Sequence, residues 1–345
     1  AEPNKPRTAG DAVITGIYTG NPTESAILIT ALGSVFDGGD KRLDIIANTA
    51  PGATLTINAG GQIGGNPLDI DVLNFNASAG GLLHIDAADS LVMGDIRAER
   101  EIEISSQGSI TANSVVSTHD DVSLDARGGD LTVGQVGGRD VTLGARNALA
   151  VSRIDVARNV ALGGDSINAA IFGSDVTPIT GALTGYGGRP ASSMNVTLSA
   201  AGGFHFDTVA SLFGNLHVPI GSLAIDHFFV GDRMVVTNPQ TRLLIDQHNF
   251  ALQGYDVQLF SGQSAFNLNL DRNLVNTGAF VIDRRASHEV LGPNGPVLSV
   301  VEYSEQALAG LHLAPRASAE AQEDEEESPV SIGANPVAVT MDGEE

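Results

Sequence analysis

The residues best placed to do chemistry in this chain are charged pairs that return at a near-constant interval. Arg100-Glu101, Asp120-Asp121, Arg139-Asp140 and Arg158-Asn159 each stand immediately before a short apolar–polar–apolar phrase. If successive phrases stack, Arg100, Asp120, Arg139 and Arg158 form one column, with Glu101, Asp121, Asp140 and Asn159 beside it. A ladder of carboxylates is one way to hold Ca²⁺, which takes six to eight oxygens. The Gly-Gly-x-Gly-x-Asp nonapeptide that binds calcium in repeat proteins is absent, however. Every acid here has an arginine at hand, so the column reads more simply as a solvated turn whose charges neutralise each other. The sequence assigns it no metal.

The other reactive side chains are scattered. Eight histidines stand at 84, 119, 205, 217, 227, 248, 288 and 312, with no His-x-x-x-His or His-x-His pair among them. His205 lies between Phe204 and Phe206, and strand alternation turns it away from both, toward the surface. Arg127 and Arg146 follow equivalent phrases and would suit a groove for acidic polysaccharide. A lyase acting on uronates also needs a base, and a hydrolase needs paired carboxylates across a cleft. Lysine occurs only at Lys5 and Lys41, Trp is absent and there are four Tyr, so little is available to stack sugars. Gly-x-Ser-x-Gly and phosphate-binding glycine loops are absent, and zero Cys excludes thiol nucleophiles, zinc-thiolate sites and disulfides. Asn76-Ala77-Ser78 and Asn195-Val196-Thr197 are glycosylation sequons, a number near chance in a chain this long. No catalytic residue, cofactor-binding residue or metal ligand is assigned, and no cofactor is expected.

What must position these groups is a repeat. Ile102-Glu103-Ile104, Val122-Ser123-Leu124, Val141-Thr142-Leu143 and Val160-Ala161-Leu162 follow one another at nearly equal spacing. A second phrase alternates with the first: Leu91-Val92-Met93, Ile110-Thr111-Ala112, Leu131-Thr132-Val133, Leu149-Ala150-Val151 and Ile167-Asn168-Ala169. Such a unit is too short and too β-branched for a helix pair, and internal periods of this kind mean stacked repeats. Ile96, Val115, Val136 and Ile154 look like a third inward column. Three columns per turn make a prism with a dry core. The expected fold is all-β, a right-handed parallel β-helix (solenoid) with coils of about 19 residues and an acidic disordered C-terminal tail.

The formal charge of −23 argues against nucleic acid, which needs a basic footprint, and against anionic lipid. No apolar run approaches a transmembrane span, so no integral membrane protein is expected. Along the chain, residues 1–11 read as a flexible arm and 12–300 as the β-helix shaft. The shaft is most regular over 43–170, throws out a loop at about 171–193 and is less regular over 194–300. Ten of the twelve Phe lie beyond residue 170, which suggests a wider cross-section there. Residues 301–315 read as an end cap. Residues 316–345 read as an unstructured tail, since nine acids and no base lie between Glu320 and Glu345.

With these phrases in view, residues 43 to 210 resemble the filamentous-haemagglutinin-like exoproteins of two-partner secretion. Gly129-Asp130-Leu131-Thr132-Val133-Gly134-Gln135-Val136 and Asp140-Val141-Thr142-Leu143-Gly144-Ala145 carry the likeness, and the lack of Cys agrees with it. The resemblance implies a β-helix exported across an outer membrane by a dedicated transporter, extracellular or on a bacterial cell surface, serving adhesion or fibre formation. Its implied partners are that transporter, a host or neighbouring cell surface, and other copies of the chain end to end. Asn21-Pro22-Thr23 and Pro293-Asn294-Gly295 substitute poorly for the Asn-Pro-Asn signatures of the family's secretion domain. A fragment of a longer exoprotein, or a short shaft exported by another route, is therefore expected. The alternative from another class is a β-helical polysaccharide lyase or glycoside hydrolase.

Overall fold

The computed structural model describes residues 10–19, 26–39, 43–47, 52–173, 177–221 and 223–238, with strand backbone at 243–246, 256–260, 266–268, 272–275, 278–283, 291–292 and 295–296. The remainder of the expected arm, the end cap at 301–315 and the tail at 316–345 lie outside the described residues. Two compact units divide the chain, Ala1–Ser174 and Asp175–Glu345.

The first unit is a parallel β-solenoid. Leu83 pairs with Ile102, Ile102 with Val122 and Val122 with Val141, each step advancing one coil. Leu91, Ile110 and Leu131 stack in the same way. Alternation sends every second residue inward, and β-branched side chains suit the pleated surface they fill. Ile102, Val122, Val141 and Val160 are buried in one column, and Ile104, Leu124, Leu143 and Leu162 in its neighbour. Ile96, Val115, Val136 and Ile154 form the third, each fully buried at 0% exposure. Thr142, between Val141 and Leu143, is exposed.

A further inward column holds small residues. Ala87 pairs with Ser106, Ser106 with Ala126 and Ala126 with Ala145, just before the chain turns a corner. The Ser106 hydroxyl, fully buried, donates to the Asp89 carbonyl at 2.7 Å and accepts from the Gly108 amide at 3.0 Å. Ser117 does the same one corner on, donating to the Arg100 carbonyl at 2.7 Å. Buried hydroxyls are tolerated because each is satisfied.

The earliest coils are longer. Ala12 pairs with Val35, Ile27 with Leu55 and Ile45 with Ile70, wider steps than those beyond Leu83. The extra residues sit at corners and bulges. One shift in register falls between Ile63 and Leu68, where Gly64 takes φ +73°. Asp11, assigned to the loose arm on sequence, is held: its Oδ1 accepts the Ser34 amide at 2.7 Å.

The second unit is again built of parallel coils. Ile179 pairs with Phe204, Phe204 with Leu223 and Leu223 with Leu243. Val196, Leu216 and Val236 stack one coil apart and are buried. Phe204 and Phe206 fill the interior with their rings stacked at 5.7 Å, and His205 between them is exposed. The loop expected over 171–193 is corrected here. That stretch carries the strand Ile179–Thr184 and the start of Ala191–Ala200, with Ile179, Leu183 and Ala191 buried. Only the 3₁₀ turn Tyr186–Gly188 with its flanks leaves the ladder between them.

Among the described residues, parallel stacking also stops short of residue 300. Arg233–Asn238 pairs antiparallel with Gly278–Asp283, and Leu243–Asp246 with Arg272–Val275. Asp256–Phe260 and Phe266–Leu268 add two more antiparallel neighbours. An edge with no further coil above it offers unpaired amides and carbonyls, and antiparallel strands can cover such an edge with short connections. Among the described residues, no helix is long and apolar enough to cross a membrane.

Candidate functional site

The outward face of the first unit's coils carries the polar chemistry, and register decides what meets what. The charged column anticipated from sequence forms as expected. The Arg139 amide donates to the Asp120 carbonyl at 2.9 Å, which aligns Arg139 with Asp120 and Asp140 with Asp121. The Arg139 guanidinium reaches back one coil and grips both acids, Asp121 through Nε at 3.1 Å and Asp120 through Nη2 at 2.7 Å. Arg158 repeats the grip on Asp140, its Nε donating at 2.8 Å and its Nη2 closing the second arm. Those hydrogen bonds hold the Asp140 carboxyl below the usual range and raise both guanidiniums. These carboxylates face arginines, as the simpler reading of the column expects.

Arg127 is engaged as well. It lies 3.4 Å from Asp125 and 3.7 Å from Asp86, two coils earlier, whose Oδ1 accepts the Ser105 hydroxyl at 2.7 Å. Arg146 is exposed, and among the described residues it makes no ion pair. The pair Arg127 and Arg146 therefore does not converge as two free cations on one substrate anion. Arg153 chelates Asp155 and lies over the Phe172 ring at 4.5 Å, while Gln135 donates to the same aspartate at 3.0 Å.

Two features were not read from the sequence. His84 pairs across the ladder with Glu103, and its Nε2 lies 3.9 Å from the Glu103 carboxylate and 3.6 Å from that of Glu101. Nε2 itself is buried and has no hydrogen-bond partner. A search for a His-x-His motif along the chain misses this cluster, because it forms between coils. The second feature is Asp44, buried at 1% exposure in an early coil. Its Oδ2 accepts the Asp69 amide at 3.0 Å, and its Oδ1 has no partner. Burial, with Asp37 and Asp69 as like-charged neighbours, raises its carboxyl to about 7.

Asn76 is half-buried in the strand Asn74–Ala79, and Asn195 is exposed in Ala191–Ala200. Both sequons thus lie within regular strands. Comparison of the chain with protein-family models, with curated proteins and with solved structures finds no match.

Proposed function

We propose that this chain is a structural or adhesive β-helix, secreted or displayed on a bacterial surface, as part of a fibre or of a longer exoprotein. The observation that carries this reading is the coil-to-coil engagement of its charges. Arg139, Arg158 and Arg127 each bind carboxylates of earlier coils, so these outward cations are taken up in coil-to-coil pairs. A lyase would instead keep such cations open for uronate carboxylates. The coil pattern of residues 43 to 210 favours the filamentous-haemagglutinin-like family, with an outer-membrane transporter as the export partner and a cell surface as the target.

Self-association end to end belongs to the same proposal. Among the described residues, Ala12–Ile14, Ile17–Tyr18 and Ala26–Ala31 pair along one edge only. Tyr18, Leu28 and Leu32 beside them are exposed. An edge of this kind is a template for another chain. Repulsion from the −23 charge is screened within about 10 Å at 0.1 M salt, so association should strengthen with ionic strength.

Electron microscopy of the native protein, sedimentation across a salt series and binding to intact cells test the proposal. Filaments or salt-promoted oligomers, together with saturable cell binding, support it. A monomer under all conditions that cleaves acidic or neutral polysaccharides would overturn it in favour of the enzyme.

A further inference from the structure

We infer that His84, Glu101 and Glu103 form a binding site for a zinc-class divalent cation, bridging two successive coils of the solenoid. Leu83 pairs with Ile102 and Ile85 with Ile104, so His84 stands directly across from Glu103 on the outward face. The Leu83 amide donates to the Glu101 carbonyl, which brings Glu101 to the same face one alternation earlier. Directly opposed and diagonal residues on one face of a strand pair are within side-chain reach. One nitrogen and two carboxylate oxygens thereby converge, all within 4.8 Å of one another.

The spacing suits a small ion. Zinc bonds of about 2.0–2.2 Å to nitrogen and oxygen in a tetrahedron place ligand atoms roughly 3.4 Å apart. His84 Nε2 already lies 3.6 and 3.9 Å from the two carboxylate oxygens. Both glutamate side chains are about half exposed, at 49% and 56%, and can close the remaining few tenths of an ångström. Imidazole nitrogen with two carboxylates favours zinc-class metals over Ca²⁺ or Mg²⁺, which ask for more oxygens. The fourth position is left to water or to a donor from a bound partner.

The surroundings make the site unlike its neighbours. Elsewhere in this column each carboxylate faces an arginine, as Asp121 faces Arg139 and Asp140 faces Arg158. Among the described residues, the ion pairs of Glu101 and Glu103 are with His84 alone. The imidazole nitrogen aimed at them is buried without a hydrogen bond, where an uncompensated polar atom is costly. The Gly64 backbone lies close beside His84: a Cβ at Gly64 would sit 2.5 Å from the His84 carbonyl and 3.3 Å from its Cβ. A buried, unpartnered imidazole nitrogen and two acids lacking a guanidinium are what a cation would complete.

The test uses the full chain, freed of metal by a chelator and then titrated with Zn²⁺ by calorimetry, with Ca²⁺ as the control. The wild type should take up one zinc equivalent more tightly than any other. His84→Gln, and separately Glu101→Gln with Glu103→Gln, should weaken that step tenfold or more while leaving metal-free melting unchanged. Because the two glutamates are exposed, their double variant decides the matter if the histidine variant fails to fold. Equal zinc affinity in the wild type and the double variant would overturn the site and point to the acids of 320–345 instead. Absence of any one-to-one step in the wild type would overturn it too.

Discussion

Arg139 binds Asp121 of the preceding coil through two parallel hydrogen bonds, Nε at 3.1 Å and Nη2 at 3.2 Å, and with the same Nη2 touches Asp120. One guanidinium thus bridges two adjacent carboxylates and offsets part of their mutual repulsion. The fork geometry of arginine is required, since a lysine ammonium offers no second arm in a fixed plane. This is a physical account of the coils' composition: within 83–170 the basic residues are arginines, and lysine is absent.

Arg139→Lys should therefore lower thermal stability slightly at low salt and leave the fold intact. The loss should shrink as salt is raised, since an exposed ion pair is screened. Melting curves of both proteins at low and high salt check this. A deficit that is large or independent of salt would mean that Arg139 acts by packing.

Leu143 tests the core register. It is buried at 1% exposure in the column with Ile104, Leu124 and Leu162. Leu143→Ala should cost about 2–5 kcal/mol, the range for truncating a buried leucine. Leu143→Asp should prevent folding of the adjacent coils, because an unpaired buried charge is not accommodated. Thr142→Asp, one residue away but outward, should be tolerated. Denaturant titration of the three variants measures the contrast, and similar losses at 142 and 143 would exclude the register.

How much of this was legible follows from which residues repeat. From Leu83 to Leu162 the phrase and its three inward columns can be read directly, because each coil has nearly the same length and each inward residue a near equivalent. Before Leu83 the coil length is not constant: Leu55 pairs with Phe75 on one side and with Ile27, a longer step away, on the other. No fixed period detects coils that vary so much. Ile179 and Leu183 read as loop because glycines and Pro190 surround them, although both are inward residues of a coil. The turn to antiparallel pairing beyond Asp246 leaves no mark on an alternating pattern, which is the same for either direction. His84 with Glu103 was within reach, since adding one coil length to His84 lands on Glu103. Comparing histidines only with each other along the chain does not reveal that pair.

Gly64 carries a prediction about the early coils. Its φ of +73° is a conformation that L side chains avoid, and a Cβ there would meet the His84 carbonyl at 2.5 Å. Gly64→Ala should destabilise by about 1–3 kcal/mol from backbone strain and contact together. Gly52 serves as the comparison, since a Cβ there meets nothing within 4 Å. Gly52→Ala should be near neutral. Chemical denaturation of the pair gives the answer, and equal effects would show that the bulge at Gly64 relaxes freely.

Asp44 gives the first unit a pH-dependent contribution to its stability. Its backbone amide donates to the Asp69 carbonyl at 2.8 Å, its Oδ2 accepts the Asp69 amide, and its carbonyl accepts the Ile17 amide at 2.7 Å. Asp44 thus ties three coils together from a buried position. Burial, reinforced by Asp37 and Asp69, keeps its carboxyl protonated up to about 7, whereas the unfolded chain releases that proton near 3.8. The folded form therefore binds the proton more tightly. Its contribution to stability is complete below about pH 4 and is lost as pH rises from there through about 7, and the loss is on the order of 4 kcal/mol at 1.36 kcal/mol per unit. Asp44→Asn keeps an oxygen for the Asp69 amide, offers an NH₂ toward Asp37 and cannot ionise. The stability of the wild type relative to this variant should fall between pH 4.5 and pH 7.5, with the variant the more stable at the upper end. Denaturant titrations of both proteins at the two pH values measure that difference directly, and repulsion from the remaining charge cancels between them. Parallel pH dependences in the two proteins would mean that Asp44 is ionised in the folded chain, its Oδ1 reached by water or a cation.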